Sequence, residues 1–406
     1  MQAAQLFQSS TWPKLITRYE KIILVLILLI TLTARLHFIF TSPKLVLTHD
    51  EIGYHVMTLR FITNGYMGYY SLGSNAFVTP GYPAFLIGVY YMARLIHADP
   101  LTTTRIFQVI ISIGSLYLVY HIARKGAGQA AGILAAVLVA IYPSSFMANN
   151  RILTEVLYIF LLLAYIYSVI IAFTKNTLGW HALSGAVLAL SVLVRPAGAP
   201  FMVVPYIIYF IKHRDFKVFQ NFIIAVIAFC LVMAPWWVRN YLVFDKFIMF
   251  ATQTGDPLLR GTKPYDVYDK IGPSIIANTQ QSERAALAVK RIKEGFRTQP
   301  LLWFKWFTVG KFSYLWFKPW GVDTTWAKFL HLWVFVILGW VGTVLNLRDR
   351  ILRWPALVVL FFAALQMAFI PIERYIYPLT PIMAIMAATL IVKTMQNRLD
   401  FDRPKR

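Results

Sequence analysis

Residues 21–40 read KIILVLILLITLTARLHFIF. A helix rises 1.5 Å per residue, so a run of this length reaches about 30 Å, the hydrocarbon thickness of a bilayer. Lys14, Arg18 and Lys21 precede or open it, and no small-residue cleavage site follows. The expectation is an uncleaved membrane span rather than a signal peptide. Similar runs recur along the chain, at 102–123, 127–143, 152–173, 180–195, 199–211, 218–238, 327–346, 353–371 and 375–394. Composition agrees. Hydrophobic residues make up 58% and charged residues only 14%, against a usual quarter in soluble domains. The expected fold class is therefore an all-α polytopic membrane protein, a single domain of about ten transmembrane helices over 1–406. Trp236, Trp237, Trp316, Trp320 and Trp326 stand at the ends of apolar runs, as interfacial belts require. The single cysteine, Cys230, excludes an intramolecular disulfide framework.

The net charge of +22 has to be placed before it can be interpreted. So hydrophobic a chain argues against a nucleic-acid partner. Short basic connections separate the runs: Arg124-Lys125, Lys175, KHRDFK at 212–217, RDRILR at 348–353, and the tail from Asn397. Putting all of them on the cytoplasmic side satisfies the positive-inside rule, with both termini inside. That parity leaves 81–96 and 301–317 as helices lying at the outer interface, not crossings, and lets 180–195 and 199–211 form a shallow hairpin. Three segments then face outward: 41–101, the short turn 143–151, and 239–326. The third is strongly basic and includes Lys270, Arg284, Lys290, Arg291, Lys293 and Arg297. In it Ala285, Val289, Ile292 and Phe296 repeat at helical spacing after Ser282, a suitable N-cap, which predicts an amphipathic surface helix. Such a loop would attract phosphate head groups or acidic acceptors, or simply adhere to anionic lipid.

Five polar stretches fall on that outer side. The first is THDEIGYHV at 48–56. Thr48-x-x-Glu51 fits a capping box, and Asp50 would sit in the first helical turn, where the dipole favours an acid. Capping does not account for what surrounds the acids: Asp50 shares a face with Tyr54, and Glu51 with His55. His49, Asp50, Glu51 and His55 could also supply hard and borderline ligands, which leaves a divalent cation open. NNRILTEVL at 149–157 places Arg151 and Glu155 four apart, an intrahelical pair or a functional site. Arg195 ends a span before Pro196, where snorkelling would also explain it. Arg239 and Asn240 follow the Trp pair, and Glu373, Arg374 and Tyr375 occupy a tight turn between two spans. Two acidic clusters and four arginines on one membrane side suggest a site for an anionic ligand.

These stretches, with TPGYPAFL at 79–86, PWWVRNYLVF at 235–244 and ERYIYPLTP at 373–381, resemble the GT-C superfamily of polyprenyl-phosphate-dependent glycosyltransferases. Within it the chain is similar to the group of the lipid A aminoarabinose transferase and, more distantly, the protein O-mannosyltransferases. The motifs are individually loose but occur in order over most of the chain. The resemblance implies a helical bundle with juxtamembrane helices in the first outer loop. It also implies an inverting transfer of a sugar from a polyprenyl-phosphate donor to a lipid, glycan or protein acceptor, outside the cytoplasmic (inner) membrane. Asp50 would be the base, with Glu51 and Glu155 as further acids of the catalytic set. Tyr54, Arg151, Arg195, Arg239, Asn240, Arg374 and Tyr375 would bind substrate. No cofactor is implied. Glu155 stands where the family usually has Asp, and the chain is shorter than the aminoarabinose transferase. The competing class is a transporter or flippase, which would place its charges near the bilayer midplane within repeated, broken helices.

Overall fold

The computed structural model describes residues 12–43, 46–253, 255–267 and 274–401. Lys270, the Lys14 side chain and the tail side chains from 397 onward lie outside the described residues. The described chain is helical, with no strand. The long apolar runs become α1 (Trp12–Thr41), α4 (Pro100–Ala140), α6 (Glu155–Lys175), α7 (Leu178–Val194) and α9 (Lys217–Phe244). Further along are α13 (325–345), α14 (Arg353–Gln366) and α15 (Thr380–Phe401). Six helical segments are individually long and apolar enough to cross a membrane.

α4 is two helices. Ala127 and Gly128 leave the helical region, Gly128 with φ 84°, and the chain doubles back. The Tyr120 ring and Arg124 Cβ lie within about 3 Å of where a Cβ on Gly132 would stand, so the two arms run side by side. The reversal falls beside Arg124-Lys125, where the charge pattern put a connection. α15 is the centre of the bundle, with 83% of its apolar window buried, whereas α1, at 22%, turns Ile22, Val25, Leu26 and Leu29 outward. Outward-facing aliphatic rows of this kind suit lipid. α13 reaches α15 through Gly342, where a Cβ would meet the Met386 carbonyl oxygen at 2.3 Å. Small residues allow such backbone approach inside membranes, where packing rather than water exclusion holds helices together.

Between α1 and α4 lie α2 (Asp50–Asn64) and α3 (Gly81–Leu95), in the first outward segment. α3 buries Tyr82, Leu86, Val89, Tyr90 and Ala93. Thr79 Oγ1 donates to the Val194 carbonyl at 3.2 Å, tying this segment to the end of α7. The expected turn at 143–151 is instead largely a helix, α5 (Pro143–Asn150), started by Pro143 at its first position. The expected span 199–211 is a 3₁₀ stretch (Pro196–Met202) followed by α8 (Val204–His213), because Pro196, Pro200 and Pro205 remove the amides an α-helix would need.

The long loop 239–326 contains α10 (Gly255–Arg260), α11 (Arg284–Thr298) and α12 (300–316, π-helical over Trp306–Gly310). α11 begins two residues after Ser282, which makes no side-chain cap; a 3₁₀ turn, Gln281–Glu283, precedes it. Val289 and Phe296 on its apolar side stay 46% and 39% exposed, as on a helix lying on an apolar surface. α12 is fastened to the bundle by Lys311, a fully buried side chain whose Nζ donates to the Met367 and Ala368 carbonyls after α14 and lies 3.8 Å from the Phe307 ring centroid.

Candidate functional site

Four chain segments converge at one end of the bundle. α2 brings Asp50 and Glu51, the start of α6 brings Glu155, the end of α7 brings Arg195, and the turn before α15 brings Arg374. Arg374 Nη1 donates to Asp50 Oδ2 at 2.7 Å, and its Nε to Glu155 Oε1. Arg195 Nη2 donates to the same Glu155 oxygen at 2.6 Å, and Arg195 Nε to Thr154 Oγ1 at 2.7 Å. Asp50 Oδ1 accepts from Tyr69 OH at 3.1 Å. The result is a chain of alternating charge, Asp50–Arg374–Glu155–Arg195.

Glu51 anchors a neighbouring knot. Its Oε2 accepts from Arg151 Nη1 at 2.9 Å, and its Oε1 from the Ile152 amide at 3.0 Å. It also reaches back to the Thr48 amide at 3.2 Å, the half of a capping box that a Glu supplies. The other half differs. α2 begins after His49, and Thr48 Oγ1 donates to the Glu51 carboxylate instead of accepting from the third amide of the helix. His49 sits at φ 41°, with its carbonyl accepting from Tyr70 OH. Strained backbone held by a specific contact is common where a side chain must be aimed. The expected Arg151–Glu155 pair is not formed. Arg151 is extended, outside the helix that Glu155 starts, and so points to Glu51.

Exposure separates the three acids. Asp50 keeps 47% of its side chain open, whereas Glu51 and Glu155 keep 2% and 1%. Only Asp50 is free to meet a ligand. The two glutamates hold arginines in place. Burial pushes the Asp50 carboxyl up, but the Arg374 charge and the bonds from Arg374 and Tyr69 outweigh it and hold it below the ordinary value.

The remaining expected residues divide. Tyr54 is buried, edge-on to both Tyr69 and Tyr82, close enough to the ion-pair chain to feel the charges of Asp50, Arg374, Arg195 and Glu155. Tyr375 follows Arg374 and packs beside the apolar group of Val267, Trp306 and Ile370. Arg239 and Asn240 stay out of the ion-pair chain. Arg239 donates to the Asn75 carbonyl at 3.2 Å and lies over Trp236 and Phe244, and Asn240 donates to the Ile248 carbonyl at 3.1 Å. Arg239 ties the segment after the first span to α9, and Asn240 ties the loop that follows α9 back to it. Sequence reasoning missed Tyr69, whose only signal was the aromatic cluster YMGYY at 66–70. It also missed Gln108, which donates to the Asn149 and Arg151 carbonyls and fixes the turn carrying Arg151. His49, Asp50, Glu51 and His55 do not converge: His55 turns to Tyr90 OH at 2.7 Å. Among the described residues no three His, Cys, Asp or Glu side chains gather as a metal site.

A membrane bundle with two helices in the segment after its first span, and a charged site at the end from which they start, is the arrangement that the resemblance to the GT-C superfamily implied. The comparisons with known proteins agree. Residues 79–238 match the family of dolichyl-phosphate-mannose-protein mannosyltransferases. The chain superimposes on the oligosaccharyltransferase AglB of Archaeoglobus fulgidus, solved in complex with an inhibitory peptide and a dolichol-phosphate. The TM-score is 0.61 at 16% identity, over 96% of this chain and 53% of that one. A second structure of the A. fulgidus enzyme, tethered to an acceptor peptide, gives 0.60 at 16% identity, over 94% and 50%. The chain thus spans about half the length of these enzymes. ArnT of Cupriavidus metallidurans, bound to undecaprenyl phosphate, is a looser likeness, with a TM-score of 0.46 at 13% identity over 93% and 77%. No curated protein matches by sequence. The resemblance to the GT-C superfamily read from the sequence therefore holds in the fold.

Proposed function

We propose that the chain is an inverting glycosyltransferase that moves a sugar from a polyprenyl-phosphate carrier to a lipid, glycan or protein acceptor. The observation that carries this reading is the pairing of the one open acid, Asp50, with a guanidinium already aimed beside it, Arg374. A transfer of this kind needs a base for the acceptor proton and a cation for the phosphate that departs. Asp50 takes the proton of the acceptor hydroxyl as its oxygen attacks the anomeric carbon. The bond from that carbon to the carrier phosphate breaks, and its electron pair stays on the phosphate, which becomes a monoester. Arg374, with Arg195 behind it, receives the added charge.

In the ligand-free arrangement Arg374 is engaged by Asp50 and Glu155. A donor phosphate competes for that guanidinium. As it takes Arg374 it releases Asp50, whose carboxyl then rises towards a better base. Donor binding would thus switch the base on. The apolar groove of about 700 Å³ between α1, α5 and residues 321–326, lined by Ile30, Phe38, Phe146 and Trp326, suits the carrier's hydrocarbon. The basic outer helix α11 would draw the phosphate in.

The site lies at the bundle end away from the short basic connections, which supports an extracytoplasmic site in the cytoplasmic membrane. Charges crowding one end, not the midplane, favour transfer over transport. No cofactor is part of the proposal. Arg374 and Arg195 already supply positive charge beside Asp50 and Glu155.

The test is transfer in vesicles from a labelled polyprenyl-phosphate sugar. Asp50→Asn should cut turnover roughly 10²–10⁴-fold while leaving donor binding intact. EDTA should leave the wild-type rate unchanged. Full turnover by Asp50→Asn would remove Asp50 from the role, and loss of turnover with EDTA would bring a metal into it.

A further inference from the structure

The end of the bundle opposite the carboxylates holds a second concentration of charge. A cavity of about 370 Å³ opens there between the ends of α6, α8 and α14. Lys212 and His213 reach it from the end of α8, Arg348 and Arg350 from the turn before α14, and Arg353 from the first position of α14. Aromatic rings form one wall. Phe173 is stacked 4.9 Å from Trp354 and lies 5.1 Å from Tyr209, whose ring is 4.4 Å from His213.

Among the described residues, Lys212, Arg348, Arg350 and Arg353 make no ion pair. The one acid in their midst, Asp349, is occupied by Lys393 at 2.9 Å and by the Ile351 and Leu352 amides. The positive-inside rule explains why each connection is basic. It does not require two of them to meet around one cavity with an aromatic wall. Like charges gathered in excess of the single Asp349 carboxylate repel, and a bound anion relieves that repulsion. Guanidinium groups match phosphate oxygens in pairs, and the volume admits a phosphate or diphosphate with part of the molecule that bears it. Ile211, next to Lys212 in the chain, and Phe216, three residues after His213, are 60% and 73% exposed, an apolar surface near the basic lining in sequence.

We propose that this cavity binds a phosphate-bearing headgroup, in the membrane leaflet opposite the carboxylate–arginine site. The two sites stand at the two ends of α6, Glu155 at one and Phe173 at the other, about 27 Å apart along the helix. The proposal is therefore independent of the transfer reaction and stands or falls without it. The phosphate could belong to a lipid or to a water-borne anion, and the exposed Ile211 and Phe216 side chains are what a lipid would use.

The experiment is retention of phosphatidic acid against phosphatidylcholine by the full-length, detergent-purified protein, read by native mass spectrometry with and without excess inorganic pyrophosphate. Wild type should keep phosphatidic acid preferentially. Lys212→Gln/Arg350→Gln changes two exposed residues and should lose roughly tenfold in affinity for each cation removed. Arg348→Gln gives an independent single-site check. Arg94→Gln/Lys305→Gln, two exposed cations on α3 and α12 at the other end of the molecule, should leave retention unchanged. Displacement by pyrophosphate would assign the site to phosphate from either source, and retention in its presence would assign it to lipid; both support the proposal. Equal retention by wild type and by both cavity variants would overturn it, and so would an equal loss in the Arg94→Gln/Lys305→Gln variant.

Discussion

Asp50 and Arg374 stand 324 positions apart in the chain and 2.7 Å apart in space. Nothing local in the sequence announces such a pair, whereas the Thr48–Glu51 reach-back could be read from a spacing of three. The same limit explains Arg151. A separation of four suggested Glu155, but the helix starts too late to align them, and Glu51 captures the arginine from a position 100 residues away. What the sequence did expose was the shared membrane side of these groups, because apolar run length and loop charge are local quantities. The pairing has a consequence for pH. The Asp50 carboxyl is depressed when Arg374 holds it, so the ligand-free protein keeps Asp50 ionised down to acid pH. In the proposed donor complex the phosphate would take Arg374, and the carboxyl would rise. The acid limb of kcat should therefore lie at higher pH than the acid limb of kcat/KM, since the first reports the complex and the second the free enzyme. Coincident limbs would show that Arg374 never leaves Asp50. For stability the sign is the usual one for a depressed acid. The contribution is present above the unfolded pKa of about 3.9 and is lost as pH falls through the folded value.

At the scale of elements, α2 is positioned by the aromatic packing around it. Gly53 lies so close to Tyr69 that a Cβ would come within 2.5 Å of its ring. Gly53→Ala should push Tyr69 away from Asp50 while α2 itself stays folded. Loss of a hydrogen bond to a charged group is worth about 1.5–3 kcal/mol, so turnover should fall roughly 10- to 100-fold. Tyr69→Phe should fall by a similar factor, and the double variant by little more than either, because both changes remove one contact. Additive losses in the transfer assay would mean that Gly53 acts by another route. α12 gives a second prediction. Burial lowers the Lys311 ammonium to about 7, whereas an unfolded lysine titrates near 10.4. Between those values the unfolded chain binds the extra proton, so this group's contribution to stability rises with pH from about 7 to 10. Thermal unfolding of the wild type should shift upward from pH 7 to pH 9 by more than that of Lys311→Met. Equal shifts would place the pH dependence elsewhere.

For the whole molecule, run length and charge parity foretold the bundle, the reversal beside Arg124-Lys125 and the helix at 81–96, and the Thr48–Glu51 spacing marked the helix before it. They fell short where proline governs, at 196–213, and where packing sets a helix start, at α11. The depth of each helix in the bundle was also illegible. α1 reads as the more apolar of the two in sequence, yet it lies at the edge and α15 at the centre. This architecture puts the outer apolar groove and the Asp50–Arg374 pair on one membrane side, and on that arrangement the proposed transfer depends. The most direct test is an experimental density map of the protein with bound polyprenyl phosphate. The account predicts phosphate density against Arg374, with its guanidinium turned off Asp50 and the Asp50 carboxylate open to an acceptor. Phosphate bound elsewhere, with Arg374 still bonded to Asp50, would contradict it.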